Sequence, residues 1–242
     1  MTRRPIGKPS WFTVLLIVAA IALWALDQKR ALDSKEKSPP VTRKAEQAEN
    51  PSPAPASKKA ATSPKSTRAG RYEIYRNCRL SMARNNDGDS FMILLPDGRK
   101  EEFRLYYVDT PESAFKRYAG GDSNHERIRQ QAADLGGITP EQAVEIGKKA
   151  KAFTLGLLES RPFTIHTGWD SPYHDERYHA FVEVIDQDKP RWLHELLVER
   201  GLARLKTKPA DLPDGTPASR HREHLRNLER TAKQSEAGAW GL

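Results

Sequence analysis

The sequence predicts an α+β domain behind a long non-globular lead, and three observations carry that reading. Short alternating or β-branched segments occur in the order three, then two. An amphipathic helical pattern separates the two groups and further helical patterns follow the second. The first seventy residues contain no such periodic pattern beyond one apolar run.

That apolar run is Trp11 to Leu26, sixteen uncharged residues behind Arg3, Arg4 and Lys8. It is slightly short for a spanning helix, which needs about 17–25 residues, and slightly long for a signal-peptide core of about 7–15. Its small-x-small triplet, Ala20-Ile21-Ala22, lies inside the run, and no better cleavage pattern follows before Gln28-Lys29-Arg30. Residues 1–33 are therefore expected to be an uncleaved transmembrane signal anchor, with Trp11 and Trp24 near the two interfaces. Residues 34–70 are rich in Pro, Ala, Ser and Lys and nearly devoid of large apolar residues, which predicts a disordered linker. The whole-chain charge of +8 also sits in these first seventy residues, with 13 Lys and Arg against 5 Asp and Glu. Residues 71–242, the expected folded domain, are balanced. A basic pI thus says nothing about a nucleic-acid-binding face on that domain.

Within the domain, Glu73 to Arg84 reads as a first strand. Ser90 to Leu95 and Lys100 to Val108 read as a hairpin closed by Pro96-Asp97-Gly98. The polar, Gly-punctuated stretch 113–138 reads as a long connection containing a short helix over Ser123 to Leu135. Thr139-Pro140 starts a helix whose apolar stripe runs from Ala143 through Ile146, Ala150, Phe153 and Leu157 to Leu158. Arg161 to His166 and Tyr178 to Ile185 are the fourth and fifth strands; 191–200 and Ala218 to Ala237 are further helices. Cys78 is the only cysteine, so an intramolecular disulfide is impossible and a buried filler role is expected.

The chemistry-bearing residues flank the hairpin. Asp87 and Asp89 precede its first strand; Asp109, Thr110 and Glu112 follow its second; Arg104 lies on the second strand. Antiparallel pairing brings the two groups of oxygens to one end, where hard ligands of this kind suit a cation such as Ca²⁺. A rival metal site is offered by His174 with His179 and by His221 with His224, the latter spaced i, i+3 on one helix face. No further ligand has zinc-like spacing.

Asp87-Gly88-Asp89-Ser90 followed by Phe103-Arg104-Leu105 and Val108-Asp109-Thr110-Pro111-Glu112 closely resembles the thermonuclease (staphylococcal nuclease-like) family, whose pattern is DGDT, then FRLxxVDTPE. The resemblance extends over about Tyr72 to Leu242. It includes Arg177 three residues before Ala180, where the family reads YGRxxA, the Gly201-Leu202-Ala203 segment and the closing GAWGL. It implies a five-stranded OB-type Greek-key β-barrel with three appended helices. It also implies a Ca²⁺-dependent nuclease cleaving DNA or RNA at the P–O5′ bond to leave 3′-phosphates. Asp89, Asp109 and the Thr110 carbonyl would hold the cation, Glu112 would orient or deprotonate water, and Arg104 and Arg177 would grip the phosphate. The YGRxxA match is partial, since its Tyr and Gly fall on Asp175 and Glu176, and Asp175 is expected to weaken nucleotide binding by repelling a phosphate. A monomer tethered to a bacterial-type cell membrane, catalytic domain periplasmic or extracellular, is expected. The alternative is a catalytically weak or inactive OB module that binds nucleic acid or protein.

Overall fold

The computed structural model describes residues 66–242. The apolar run Trp11 to Leu26 and most of the linker lie outside the described residues; among those described, no helix is long and apolar enough to cross a membrane. The strands are β1 (Thr67–Ala69), β2 (Tyr72–Leu80), β3 (Ser90–Leu94), β4 (Lys100–Leu105), β5 (Val108–Asp109), β6 (Phe163–Thr167), β7 (Tyr178–Asp186), β8 (Lys189–Trp192) and β9 (Arg204–Leu205). The helices are α1 (His125–Asp134), α2 (Pro140–Ser160), α3 (Leu193–Glu199) and α4 (Ala218–Gln234), with a final 3-10 turn at Gly238–Gly241.

Five strands close on themselves in the order β2-β3-β4-β7-β6-β2, with β4 and β7 parallel and the other pairs antiparallel. This is a closed mixed barrel of OB type. Its inward residues, among them Phe91, Ile93, Phe103, Leu105, Ile165 and Val182, are fully buried. Cys78 is buried as filler beside a bulge in β2, where Asn77 takes a φ of 62°. The long helix α2 opens with a reciprocal capping box: Gln142 N donates to Thr139 Oγ1 (3.2 Å) and Thr139 N to Gln142 Oε1 (2.8 Å).

Four expectations change in physical detail. The appended helices number four, because the short helix in the 113–138 connection is a well-formed α1. The strand expected over Lys100 to Val108 is two strands. Tyr107, at a φ of 69°, kinks the chain, and its backbone leaves the barrel to exchange hydrogen bonds with Lys206 and Lys208, so Val108–Asp109 pairs with Arg204–Leu205. β8 was hidden in the predicted start of the third helix. Gln187 and Asp188, at φ 48° and 61°, make a two-residue turn without glycine, and Pro190 is tolerated because β8 is an edge strand. Finally, β1 falls at the end of the stretch read as linker, folded back onto the start of β2 through Gly70 at a φ of 56°.

Candidate active site

One end of the barrel gathers the residues singled out from the hairpin. Ser90 pairs with Arg104 in the β3–β4 ladder, and Leu105 N donates to Asp89 O (2.9 Å), which brings Asp89 beside the end of β4. Gly88 permits the approach that follows: a Cβ there would lie 2.8 Å from Thr110 Oγ1 and 3.0 Å from Ala150 Cβ. Thr110 N then donates to Asp89 Oδ2 (3.1 Å), and Thr154 on α2 anchors the turn through Gly88 O (2.8 Å).

Arg104 lies between the two inner carboxylates. Its Nη2 donates to Asp109 Oδ1 (2.7 Å) and Asp89 Oδ2 (3.3 Å), while its Nε is buried without a hydrogen-bond partner. Burial pushes the Asp87 carboxyl up to about 6, aided by the neighbouring Asp89 charge, and burial raises Asp89 as well although Arg104 opposes it. Burial would also raise Asp109, but Arg127, Gln131, Arg204 and Arg104 together hold it below the ordinary carboxylate range.

Asp109 is the most heavily partnered group. Besides Arg104, Oδ1 accepts from Arg127 Nη2 (2.7 Å); Oδ2 accepts from Arg204 Nε (2.9 Å) and Gln131 Nε2 (3.0 Å) and lies 2.8 Å from Arg204 Nη2. Gln131 also donates to the Thr110 carbonyl (3.0 Å) and accepts from Glu112 N (3.0 Å). Glu112 itself lies 3.0 Å from Arg127 Nε, 3.6 Å from Lys116 Nζ and 3.3 Å from Asn124 Nδ2. The connection 113–138 therefore supplies side chains to the site, and Arg127, Gln131, Asn124 and Arg204 were not singled out from sequence. The i, i+4 spacing of Arg127 and Gln131 on one face of α1 is the sequence signal for them. Arg204 had none, because its reach to Asp109 depends on the β5–β9 pairing.

Arg177 arrives at the same end from the loop before β7, whose parallel register sets Tyr178 against Phe103. Its Nη1 donates to Ser90 Oγ (3.3 Å). The neighbouring Glu176 holds a φ of 61°, the left-handed conformation that a glycine adopts freely, at the position where the family pattern has Gly. Asp175 does not stand apart as an isolated repelling charge: it is bonded to Arg177 through Nε (3.0 Å) and Nη2. Burial works against that carboxylate, but the Arg177 contacts keep it below its ordinary range.

A model of the family described as staphylococcal nuclease homologue matches residues 102–241. The chain belongs to the staphylococcal nuclease homologue family. No curated protein matches the chain. The matched stretch contains Arg104, Asp109, Thr110, Glu112 and Arg177; Asp87 and Asp89 lie ahead of it and reach the site through the β3–β4 hairpin. The family is nuclease-type, and the closed barrel with four helices fits it.

The histidines arrange differently from the expected pairs. His221 faces His194, with Nε2 atoms 2.7 Å apart, and His224 reaches Glu195 (3.4 Å). His194, Glu195 and His221 together form the one group of possible metal ligands of this kind among the described residues. The 2.7 Å separation suits a hydrogen bond between neutral rings; two ligands around tetrahedral zinc at about 2.0–2.1 Å would stand roughly 3.3 Å apart. Tyr107 stacks on His194 with ring centroids 5.8 Å apart.

Proposed function

We propose that this protein is a Ca²⁺-dependent nuclease that hydrolyses phosphodiester bonds of DNA or RNA to 3′-phosphate products. In this reading it acts as a monomer held at a bacterial-type cell membrane by Trp11 to Leu26, its catalytic domain outside. The observation that carries the catalytic part is Arg104. This guanidinium is fixed between Asp89 and Asp109, yet it keeps a buried Nε with no acceptor, at a barrel end shared with Arg177 and Glu112. An unpartnered buried N–H is costly, and a phosphate oxygen is the acceptor its chemistry suits.

The donor set fits a hard cation: Asp89, Asp109 and the Thr110 carbonyl all offer oxygens, Asp87 is near enough to feel the Asp89 charge, and nucleases of this family are typically Ca²⁺-dependent. When bound, Ca²⁺ would neutralise a nonbridging phosphate oxygen and favour ionisation of a water. Arg104 and Arg177 would donate to the phosphate oxygens as charge builds on them. Glu112 would take the proton of the attacking water while the P–O5′ bond breaks and O5′ takes a proton from solvent. For Glu112 this requires release of Arg127, and for Arg177 release of Asp175.

Those occupied partners are also what favours the second reading, a weak or inactive binding module. Hydrolysis of single-stranded DNA and RNA by the purified full chain, with Ca²⁺ and with excess chelator, separates the two. Chelator-sensitive cleavage leaving 3′-phosphates is expected. Cleavage undiminished by chelator, or rescue by Zn²⁺ but not Ca²⁺, overturns the metal assignment; nucleic-acid binding with no cleavage at saturating Ca²⁺ selects the binding module. Retention on membranes after a high-salt wash is the outcome expected of the anchor, and release by salt removes it.

A further inference from the structure

The donors around Asp109 differ in one respect that bears on cation binding. A carboxylate offers about four lone-pair sites, and Asp109 meets Arg104, Arg127, Arg204 and Gln131 at once. Three of these are locked in. The side chains of Arg104 and Arg204 are 7% and 8% exposed, Gln131 is fully buried, and withdrawing either arginine would strand a buried charge. Arg204 is further tied to Asp134, and Gln131 to Thr110 and Glu112. Arg127 alone sits at the rim, 45% exposed, on the first turn of α1. It spans Asp109 and Glu112, the expected cation ligand and the expected base.

We infer that Arg127 is an internal competitor of the divalent cation: its guanidinium fills the gap between Asp109 and Glu112, and it leaves only when a phosphate offers it another partner. Cation and substrate phosphate then bind cooperatively, because the phosphate removes the charge that opposes the metal. This rests on the proposed Ca²⁺ site. It assigns the 113–138 connection a task in that site: setting cation affinity.

The test is Ca²⁺ binding by calorimetry to the full chain, wild type against Arg127→Gln and Arg127→Lys, with and without a nucleoside 3′,5′-bisphosphate. Like charges about 4 Å apart repel appreciably even at an effective dielectric of about 20, and exposure and salt reduce this strongly. Arg127→Gln is therefore expected to bind Ca²⁺ on the order of tenfold more tightly without bisphosphate, and to gain less from the bisphosphate than wild type does. Arg127→Lys, which keeps the charge, should stay near wild type. Equal or weaker Ca²⁺ binding by Arg127→Gln overturns the inference, as does equal tightening by Arg127→Lys. Absence of Ca²⁺ binding in the wild type both with and without bisphosphate is a different result: it removes the Ca²⁺ site itself.

Discussion

A methyl group on Gly147 would lie 2.4 Å from the carbonyl oxygen of Glu112 and 2.5 Å from that of Pro111, so α2 backs the site by direct contact with its main chain. Only a glycine lets the helix come this close. Gly147→Ala should therefore push the Glu112 backbone outward, costing about 1–3 kcal/mol of stability, typical of overpacking, and lowering kcat. Gly156, on the same helix, is the control, because a methyl group there would meet nothing within 4 Å. Gly156→Ala should raise stability by up to about 1 kcal/mol through helix propensity. Thermal denaturation and kinetics of the two variants check the contrast.

The two arginines proposed to grip the phosphate, Arg104 and Arg177, should separate by their burial. Arg177→Lys is expected to lower kcat by about 10²-fold, as for loss of one transition-state donor, with little change in Tm. Arg104→Lys should lower both, because the Nη2 that joins Asp89 to Asp109 is lost along with the fork. Glu112→Gln should lower kcat alone. Activity within about threefold of wild type in all three variants would be too small a loss for this site.

Asp175 holds Arg177 through its Nε, so in the proposed nuclease that bond is given up when a phosphate binds. The pair is partly exposed and worth at most about 1 kcal/mol. Asp175→Asn should accordingly tighten binding of a nucleoside 3′,5′-bisphosphate by up to about fivefold, measured by calorimetry. Unchanged or weaker binding would show that Asp175 positions Arg177 rather than restraining it.

Acid should destabilise the fold in a defined window. Burial lowers His166, His179 and His221 to about 4 and holds His194 well below the ordinary histidine range, so these rings stay neutral in the folded protein. In the unfolded chain they take up protons near about 6.5. The unfolded state thus binds more protons between those values, and stability is full above about 6.5 and falls as the pH drops toward about 4. The drop in Tm across that window should shrink in His221→Asn, which removes one titrating ring while keeping a hydrogen-bonding side chain near His194.

Much of this was legible because it is local. The hairpin ends, the Thr139 cap and the DGD turn are short-range patterns, and the structure puts Asp89, Arg104, Asp109, Thr110 and Glu112 at one end of the barrel as the hairpin alone implied. What stayed hidden depends on contacts between distant segments. The kink at Tyr107 is set by its exchange with 206–208, and the reach of Arg204 to Asp109 exists only through β5–β9. The I′-like turn at Gln187-Asp188 escaped for another reason, since neither residue is the glycine or asparagine that normally marks left-handed backbone.

The Asp109–Arg204 bond spans 95 positions of chain. During synthesis, the ribosome exposes Asp89, Arg104 and Glu112 long before it reaches Arg204, and until then Asp109 lacks the partner that seats β5 at the barrel end. A half-made copy that stops between α2 and β9 carries Asp89, Asp109 and Glu112 but neither Arg204 nor the strand that pairs with β5. In the proposed nuclease, cutting power is therefore expected only of the completed domain.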